Sequence, residues 1–461
     1  MILLIVYFIV MMICTMLFTK KSDSIEDLLV GKRNVGPFKS ALSIAATWIW
    51  APALLVSSEK AYQWGWVGLF WFLVPNILCL IFFAGFADKI RKSMPSGYSL
   101  AGYMEKEYDA KVKKIYLAVL TIITVMSTVV QLLAGGLLIS TITGGSFLTI
   151  TIVLSLITFC YSQFSGIEAS IVTDAIQMIT MIIISIIIVY SAFNHGFNIG
   201  DIKSGIYGID GNYKSLVSSE GRSVFLAFGL SSAIGLISGP FGDQAFWQRA
   251  FATKSGSIKK SFILGAIMFA IVPLAMGAIG FLASGIKMPT NNIGMVNVEF
   301  IRNYLPDYII YLFEFVMISG LLSTVDSNLC SITSLANEIK STYNLRQAKI
   351  TMAILLVLGV IGANIPNITV TKLFMIYGAT RSSTLLITIL TLKDYKLDSK
   401  GVSVGIATSL VVGLPIFIYG TINGVSTLTV LGSLISVLAS GVVAIIYTKW
   451  RNKYGNQESR N

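Results

Sequence analysis

The sequence predicts an all-α integral membrane protein whose 461 residues form a single transmembrane domain (1–461). The chain is 55% hydrophobic and only 12% charged, with a mean hydropathy of +0.78, so it is far more apolar than an ordinary soluble domain. Apolar runs of about 18 or more residues recur along it, and about 13 of them are long enough to cross a bilayer. Short basic segments separate many of these runs, as is typical of a multi-pass protein.

The apolar runs define the predicted spans in order. The first, residues 1–19, has no basic residue before it and no small-residue cleavage site after it, so we expect a retained helix and not a secretion signal. The other predicted spans are 38–58, 65–87, 113–139, 147–163, 168–193, 223–248, 261–284, 308–338, 350–365, 368–391, 402–420 and 426–448. A polar tail, 449–461, is too short to hold a fused signalling domain.

The net charge of +12 is explained by an unequal distribution of basic residues between the two sides of the membrane. Basic residues are dispersed among the short connections, so the lipid bilayer is the expected partner and nucleic acid is not. About 26 of the 34 lysines and arginines fall in alternate connections and the tail, with about 7 on the opposite side. This bias predicts a cell-membrane protein with its N-terminus outside and its C-terminus in the cytoplasm. The four cysteines show no paired spacing that would suggest a metal cage.

Two predicted spans are interrupted in a matched way. The segment "SIAATWIWAPALL" contains Pro52, and "IGLISGPFGDQAFWQR" contains Gly239, Pro240 and Gly242. Proline removes a helical hydrogen bond and glycine is a weak helix former, so both segments are candidate unwinding points. Free backbone groups at membrane depth are tolerated around a cavity, and such a pair indicates an inverted-repeat transporter rather than an enzyme. Simple proline kinks in packed helices are the alternative.

The ninth predicted span carries a polar stripe, "STVDSNLCS", at residues 323–331. Ser323, Asp326, Ser327 and Cys330 share one helical face because they are spaced three, four and seven apart. Hydroxyl and carboxylate oxygens are the ligands that a hard cation such as sodium prefers, and a carboxylate at this depth needs a partner. The alternative is that the serines bond back to the preceding turn while Asp326 neutralises a structural arginine.

Two further charges lie at membrane depth. Asp174 is near the predicted cytoplasmic start of the sixth span, and Arg381 is well inside the eleventh. Arg381 has three interpretations: a structural ion pair, recognition of a substrate carboxylate, or an internal cation in the empty cavity.

The motifs resemble those of the sodium:solute symporter family along essentially the whole chain. The resemblance is carried, in the family's order and spacing, by "DLLVGKRNVGP", "SGIEASIVTDAIQ", "GDQAFWQRAFATKS" and "LLSTVDSNLCSITSLANEI". Within the family, "TWIWAPALLVSSEKAYQWGWVGLFWF" and "DQAFWQRA" look most like the active urea transporter branch. The resemblance implies the leucine-transporter fold: an extra N-terminal helix (1–19), two inverted five-helix repeats (38–193 and 223–391) and two C-terminal helices (402–448).

The resemblance also implies ion ligands. Carried over by position, the sodium site is expected to use the carbonyls of Ala46, Ile49 and Gly320 and the hydroxyls of Ser323 and Thr324. Gly320 departs from the family's usual alanine, an exchange that a backbone ligand tolerates. Members with a second sodium use positions that match Asp174, Asp326 and Ser327. Two neighbouring carboxylates disfavour joint ionisation, so this second site could instead hold a proton.

The solute is expected where the two broken helices meet. The candidates are Thr47, Trp48 and Trp50 on the first break, Phe241, Asp243, Gln244 and Trp247 on the second, and Gln131 and Arg381. Asp243 with Gln244 offers hydrogen bonds to a small polar solute, whereas tryptophan and phenylalanine are more often packing residues. The expected function is sodium-coupled import of a small polar solute, urea first, by alternating access. The alternatives are a carboxylate or amino-acid-like solute bound by Arg381, proton coupling, or a non-accumulating sensor or channel.

Overall fold

The computed structural model describes the backbone of residues 2–340 and 342–458, and their side chains except at 2, 3, 51, 52, 371 and 454–458. Every regular element in these ranges is helical, and one isolated bridge joins Val35 to Thr253. The first eight helices are α1 (Ile2–Phe18), α2 (Ile25–Val30), α3 (Pro37–Trp48), α4 (Ala51–Ser93), α5 (Leu100–Glu107), α6 (Ala110–Thr143), α7 (Phe147–Ser165) and α8 (Ile167–Asn194).

The second half of the chain continues with thirteen helices. They are α9 (Ile199–Gly205), α10 (Ser219–Val224), α11 (Leu230–Ile237), α12 (Gly239–Gly242), α13 (Gln244–Ala252), α14 (Ile258–Gly285), α15 (Val296–Tyr304), α16 (Asp307–Asn337), α17 (Leu345–Ala363), α18 (Val370–Leu392), α19 (Ser399–Thr408), α20 (Leu414–Asn423) and α21 (Ser426–Glu458). Single π-helical turns, Phe225–Gly229 and Ser409–Gly413, join α10 to α11 and α19 to α20.

The predicted membrane spans all coincide with helices, which confirms the all-α membrane class. Among the described residues, eleven helices are long and apolar enough to cross a bilayer. One of them, Ala53–Ser93, has non-helical backbone at Trp64 and Gly65 and so contains parts of two predicted spans. Leu4–Phe18 is a further, shorter apolar helix. The last helix continues beyond the predicted end at 448, and the final part of the predicted tail, 459–461, lies outside the described residues.

Both predicted helix breaks are present. Ile49 (φ −83°, ψ 87°) and Trp50 (φ −102°, ψ 168°) separate α3 from α4, and Asp243 (φ −117°, ψ 116°) separates α12 from α13. The backbone leaves the helical region at all three residues, so these are true interruptions and not simple kinks. The peptide groups beside them have lost helical partners and can serve a cavity or a ligand.

Helix α16 lies inside the bundle. Every residue from Val316 to Leu335 is buried, including the whole of the polar stripe. A helix that is buried all round presents its polar face to other helices and not to lipid. It packs against α8 and α6, while α14 packs against α4 and α3. The stripe therefore faces polar groups of neighbouring helices.

One turn between helices provides a stability test. Gly166, between α7 and α8, has φ 55°, and a Cβ there would lie 2.2 Å from the carbonyl oxygen of Leu28. Gly144, after α6, has φ 67°, but a Cβ there would meet nothing within 4 Å. Alanine incurs backbone strain at either site: about 1–2 kcal/mol in the left-handed region at Gly144 (ψ 9°), and more at Gly166, whose ψ of −127° lies outside that region. We expect Gly166→Ala to lower the thermal unfolding midpoint in detergent clearly more than Gly144→Ala; equal shifts would contradict the role of the Leu28 contact.

Candidate ion and solute site

A single buried carboxylate joins four helices. Asp174 of α8 is fully buried, and its Oδ2 accepts hydrogen bonds from Ser43 Oγ of α3 (2.6 Å) and Arg249 Nη2 of α13 (2.7 Å). Its Oδ1 accepts from Ser323 Oγ of α16 (2.6 Å). Hydrogen bonds to a charged acceptor are stronger than neutral ones, so this carboxylate holds the first break's helix, α3, and the second break's helix, α13, in one arrangement.

The other carboxylate of the stripe, Asp326, is surrounded by hydroxyl groups. Its Oδ1 accepts from Ser170 Oγ (2.9 Å) and Ser327 Oγ (3.4 Å), and its Oδ2 accepts from Thr173 Oγ1 (3.2 Å). Among the described residues no ion pair joins Asp326 to an arginine, so the pairing with a structural arginine that the sequence left open is not formed. The cation nearest to this cluster is Arg249, which shares Ser170 and Ser327 with it.

Arg249 is the central residue that the sequence pattern did not single out. Its side chain is buried, with Nε donating to Ser43 Oγ (2.9 Å), Nη1 to the Ala245 carbonyl (3.1 Å) and Nη2 to Ser327 Oγ (2.6 Å). The predicted span stopped at residue 248, and the basic residues that follow resembled an ordinary cytoplasmic connection. The helix break could have indicated Arg249. A span that is interrupted at Asp243 needs more residues to cross the membrane, and so continues beyond residue 248.

The residues implied for sodium lie together where α16 meets the first break. A Cβ on Gly320 would lie 3.0 Å from the Ile49 carbonyl oxygen, so these two backbones are in close approach. Thr324 Oγ1 donates to the carbonyls of Gly320 (3.2 Å) and Thr47 (3.3 Å). The Ala46 carbonyl accepts from the Ile49 amide (3.1 Å). The atoms that these residues would offer to an ion are all carbonyl or hydroxyl oxygens, which are the ligands that a hard cation prefers.

Trp50 and Asp243, one from each break, approach a common neighbour, Tyr377 of α18. The Tyr377 hydroxyl donates to Asp243 Oδ2 (2.9 Å), while the Ala245 amide donates to Asp243 Oδ1 (2.9 Å). The Trp50 ring lies 6.2 Å from the Tyr377 ring and 4.4 Å from that of Phe374. Trp50 Nε1 is buried and has no hydrogen-bond partner among the described residues. An orphaned donor at membrane depth is costly unless a ligand or water accepts from it.

Arg381 lies against aromatic rings and not against a carboxylate. Its guanidinium carbon is 4.0 Å from the Tyr377 ring centroid and 5.9 Å from that of Trp48. Nη2 donates to the Gly235 carbonyl at 3.5 Å, and within the part of the chain that the structure describes the buried Nε has no partner. Within the described ranges no carboxylate lies within ion-pair distance of it, so the structural pairing considered from the sequence is not formed.

Two of the other solute candidates, Trp247 and Phe241, make packing contacts. Trp247 Nε1 donates to the Phe241 carbonyl (2.9 Å), and both rings pack on Phe83, with centroids 4.5 and 5.1 Å apart. Gln131 is buried in α6. Thr47 lies in α3, just before the first break, and its hydroxyl is 3.2 Å from Ser327 Oγ. A solute role for these residues stays a prediction.

A cavity of about 540 Å³ opens beside the first break. It lies on the side of the membrane that the charge bias predicts to be outside, and Phe374 of its wall stacks on Trp50. Its lining is largely apolar, with a few polar side chains that include Lys60, Asn292 and Ser382. A cavity of this size and character accommodates a small organic solute.

Comparison with known proteins identifies the family. The sodium:solute symporter family profile matches residues 28–362. The chain is a member of the sodium:solute symporter family. Over 96% of this chain and 97% of the other, it superposes on a substrate-bound, outward-open Na+-coupled sialic acid symporter with a TM-score of 0.77 at 18% identity. The predicted leucine-transporter fold is therefore confirmed.

The curated relatives of this family member include urea transporters. It is 24% identical to "Probable urea active transporter 1" of Schizosaccharomyces pombe (strain 972 / ATCC 24843), over 59% of this chain and 42% of that protein. It is 21% identical to a "Urea-proton symporter" of Oryza sativa subsp. japonica, over 56% of this chain and 39% of that protein. The matched region thus spans about two fifths of either relative.

The end of this symporter-family bundle opposite the cavity is closed by polar contacts, here called the closing cluster: Tyr98, Ser99, Lys113, Gln244 and Glu338. Glu338 accepts from Ser99 Oγ (2.7 Å) and pairs with Lys113 Nζ (3.2 Å). Gln244 Nε2 donates to the Tyr98 carbonyl (2.8 Å). Gln244, a sequence candidate for the solute, therefore holds the closed end. One end of the bundle therefore holds the cavity, and the other end is held together by this cluster.

The closing cluster predicts a local stability effect. Glu338→Ala removes the acceptor for Ser99, a charge-assisted hydrogen bond that contributes about 1.5 kcal/mol. We expect backbone amide exchange over residues 94–107 to become about tenfold faster, measured by hydrogen–deuterium exchange mass spectrometry. Glu105→Ala is the matched control, because Glu105 also pairs with Lys113 (2.6 Å) but makes no bond to Ser99. Equal acceleration by both variants would contradict the role of the Glu338–Ser99 bond.

Proposed function

We propose that the chain is a sodium-coupled symporter that imports a small polar solute across the cell membrane by alternating access. One observation carries the proposal: the Thr324 hydroxyl and the Gly320 backbone of α16, the helix that also carries Ser323, lie against backbone carbonyls at the first helix break. Thr324 reaches the Thr47 carbonyl, and Gly320 approaches the Ile49 carbonyl. We orient the protein with its N-terminus outside and its C-terminus in the cytoplasm, as the charge bias predicts.

The hydrogen bonds of Ser323 suit it to ion binding. Because its proton is donated to Asp174 Oδ1 (2.6 Å), the lone pairs of its oxygen are left to face a cation. The proposed ligands come from two elements: Ala46 and Ile49 from the first break, and Gly320, Ser323 and Thr324 from α16. An ion bound by both elements favours the arrangement in which they touch, and this differential affinity couples ion binding to the solute-accepting state.

Urea is the first solute we propose. The relatives named as urea transporters support it, as do the groups around the breaks. Trp50 Nε1 is a buried donor without an acceptor, which the carbonyl oxygen of urea would supply. The Asp243 carboxylate is an acceptor for the amide protons of urea. The rice relative's name points to a proton as the alternative coupling ion, with Asp174 and Asp326 as the groups that could carry it.

Removing one hydroxyl ligand tests the sodium site. We expect Ser323→Ala to raise the sodium concentration for half-maximal urea uptake into proteoliposomes about tenfold, which corresponds to about 1.4 kcal/mol of lost ion affinity. Ser331→Ala is the control, because Ser331 Oγ bonds only to the Ser327 carbonyl of its own helix (2.8 Å). An unchanged sodium dependence in Ser323→Ala would remove this hydroxyl from the site. Uptake driven equally well by a proton gradient without sodium would favour the proton alternative.

A carboxylate-bearing solute is the second candidate, and the surroundings of Arg381 favour it. A guanidinium at membrane depth is expensive unless an anion, water or aromatic face compensates it. Tyr377 supplies the aromatic face, but the Nε of Arg381 still lacks an acceptor. A solute carboxylate would provide both the acceptor and the countercharge.

Thermal stabilisation separates the two solute classes. If the solute bears a carboxylate, small carboxylic acids or amino acids should raise the unfolding midpoint of the purified protein in sodium buffer. Arg381→Gln should abolish that shift, and Arg381→Lys should keep part of it because it keeps the charge. If urea is the solute, unlabelled urea should compete with labelled urea for uptake in both Arg381 variants. The acids should then leave the unfolding midpoint of the purified protein unchanged. The latter result would contradict the carboxylate candidate.

A further inference from the structure

A guanidinium lies at the position where the family resemblance implies a second sodium. The implied ligands are Asp174, Asp326 and Ser327. Nη2 of Arg249 is 2.7 Å from Asp174 Oδ2, 2.6 Å from Ser327 Oγ and 3.3 Å from Ser170 Oγ. Ser170 also donates to Asp326 Oδ1 (2.9 Å), so the guanidinium contacts or adjoins all three implied ligands.

These residues do not fit a second ion while Arg249 keeps this position. An ion bound to both Asp174 Oδ2 and Ser327 Oγ would occupy the volume of Nη2, which is within hydrogen-bond distance of both oxygens. It would also place a second positive charge beside a buried cation. Like charges at this separation in a low-dielectric interior repel strongly.

The anchoring of Arg249 argues against its swinging aside. Nε is bonded to Ser43 Oγ (2.9 Å) and Nη1 to the Ala245 carbonyl (3.1 Å). The side chain is therefore held on α3, α8, α13 and α16 together and has only 1% of its surface exposed. Releasing it would leave a buried cation without its counterion, which is strongly unfavourable.

We infer that Arg249 is a tethered cation that takes the place of a second coupling ion, so that the protein binds a single sodium in each cycle. The inference rests on the proposed sodium-coupled function. In physical terms, one positive charge replaces another. The guanidinium is fixed to α13 and neutralises Asp174 permanently, whereas an exchangeable ion would neutralise it only when bound. Removing the guanidinium should leave two carboxylates and several hydroxyls around an open volume, which is a donor set suited to sodium.

The test is a count of bound sodium on the purified full-length protein in detergent, by equilibrium binding of 22Na+, which requires no knowledge of the solute. We expect one sodium per chain in the wild type and two in Arg249→Ala. The added site should disappear again when Asp326→Asn is combined with Arg249→Ala. Arg249→Lys, which keeps a tethered cation, is the matched control and should bind one. Size-exclusion profiles establish that each variant is folded.

The outcomes distinguish the inference from the proposed function. Two sodium ions on the wild type, or one on both the wild type and a folded Arg249→Ala, would overturn the tethered-cation inference and leave sodium coupling intact. No sodium on the wild type would overturn the proposed function and the inference with it. If Arg249→Ala does not fold, Arg249→Gln takes its place, and the wild-type count still decides between one ion and two.

Discussion

A buried ion pair between Asp174 and Arg249 determines how the broken helices meet. Both side chains are almost completely inaccessible, so the pair must offset a desolvation penalty of several kcal/mol per ion. Hydrogen bonds provide this compensation: Ser43 and Ser323 donate to the Asp174 carboxylate, and Ser327 accepts from the Arg249 guanidinium. Removing either charge would leave the other uncompensated at membrane depth. The register of α3, α8, α13 and α16 therefore depends on this contact.

The same carboxylate connects the proposed ion site to the closed end of the bundle. One oxygen of Asp174 accepts from Ser323, a proposed sodium ligand, and the other accepts from Arg249 of α13. Helix α13 begins at Gln244, which holds the loop at Tyr98 in the closing cluster. If sodium binds at the proposed site and changes the hydrogen bonds of Ser323, the contacts of Asp174 and Arg249 would transmit that change to the helix that closes the opposite end. Such a short, continuous set of polar contacts is a physical route for coupling.

Local patterns predicted most of this fold, and long-range pairing was the part they could not predict. Hydropathy located the spans, Gly and Pro located the breaks, and helical spacing showed that the stripe around Asp326 shares a face. Which charges meet depends on tertiary packing, which periodicity does not encode. Arg249 was missed because hydropathy ends the span before the helix ends. Tyr377 has no local signal, because a tyrosine within an apolar run is typical of ordinary packing. Gln244 had the right polarity for a solute but bonds to the closing cluster.

Two buried arginines, Arg249 and Arg381, have different surroundings, and the two proposals give them different roles. Arg249 and Arg381 are equally buried, yet Arg249 has a carboxylate and three hydroxyls while Arg381 has an aromatic face, a carbonyl and an unsatisfied Nε. A paired guanidinium has little affinity left for a mobile anion, whereas an unpaired one retains most of it. In the two proposals, Arg249 therefore sets the number of bound sodium ions and Arg381 the charge of the solute. Separate helices, α13 and α18, carry the two arginines, so each proposal has its own substitution as a test.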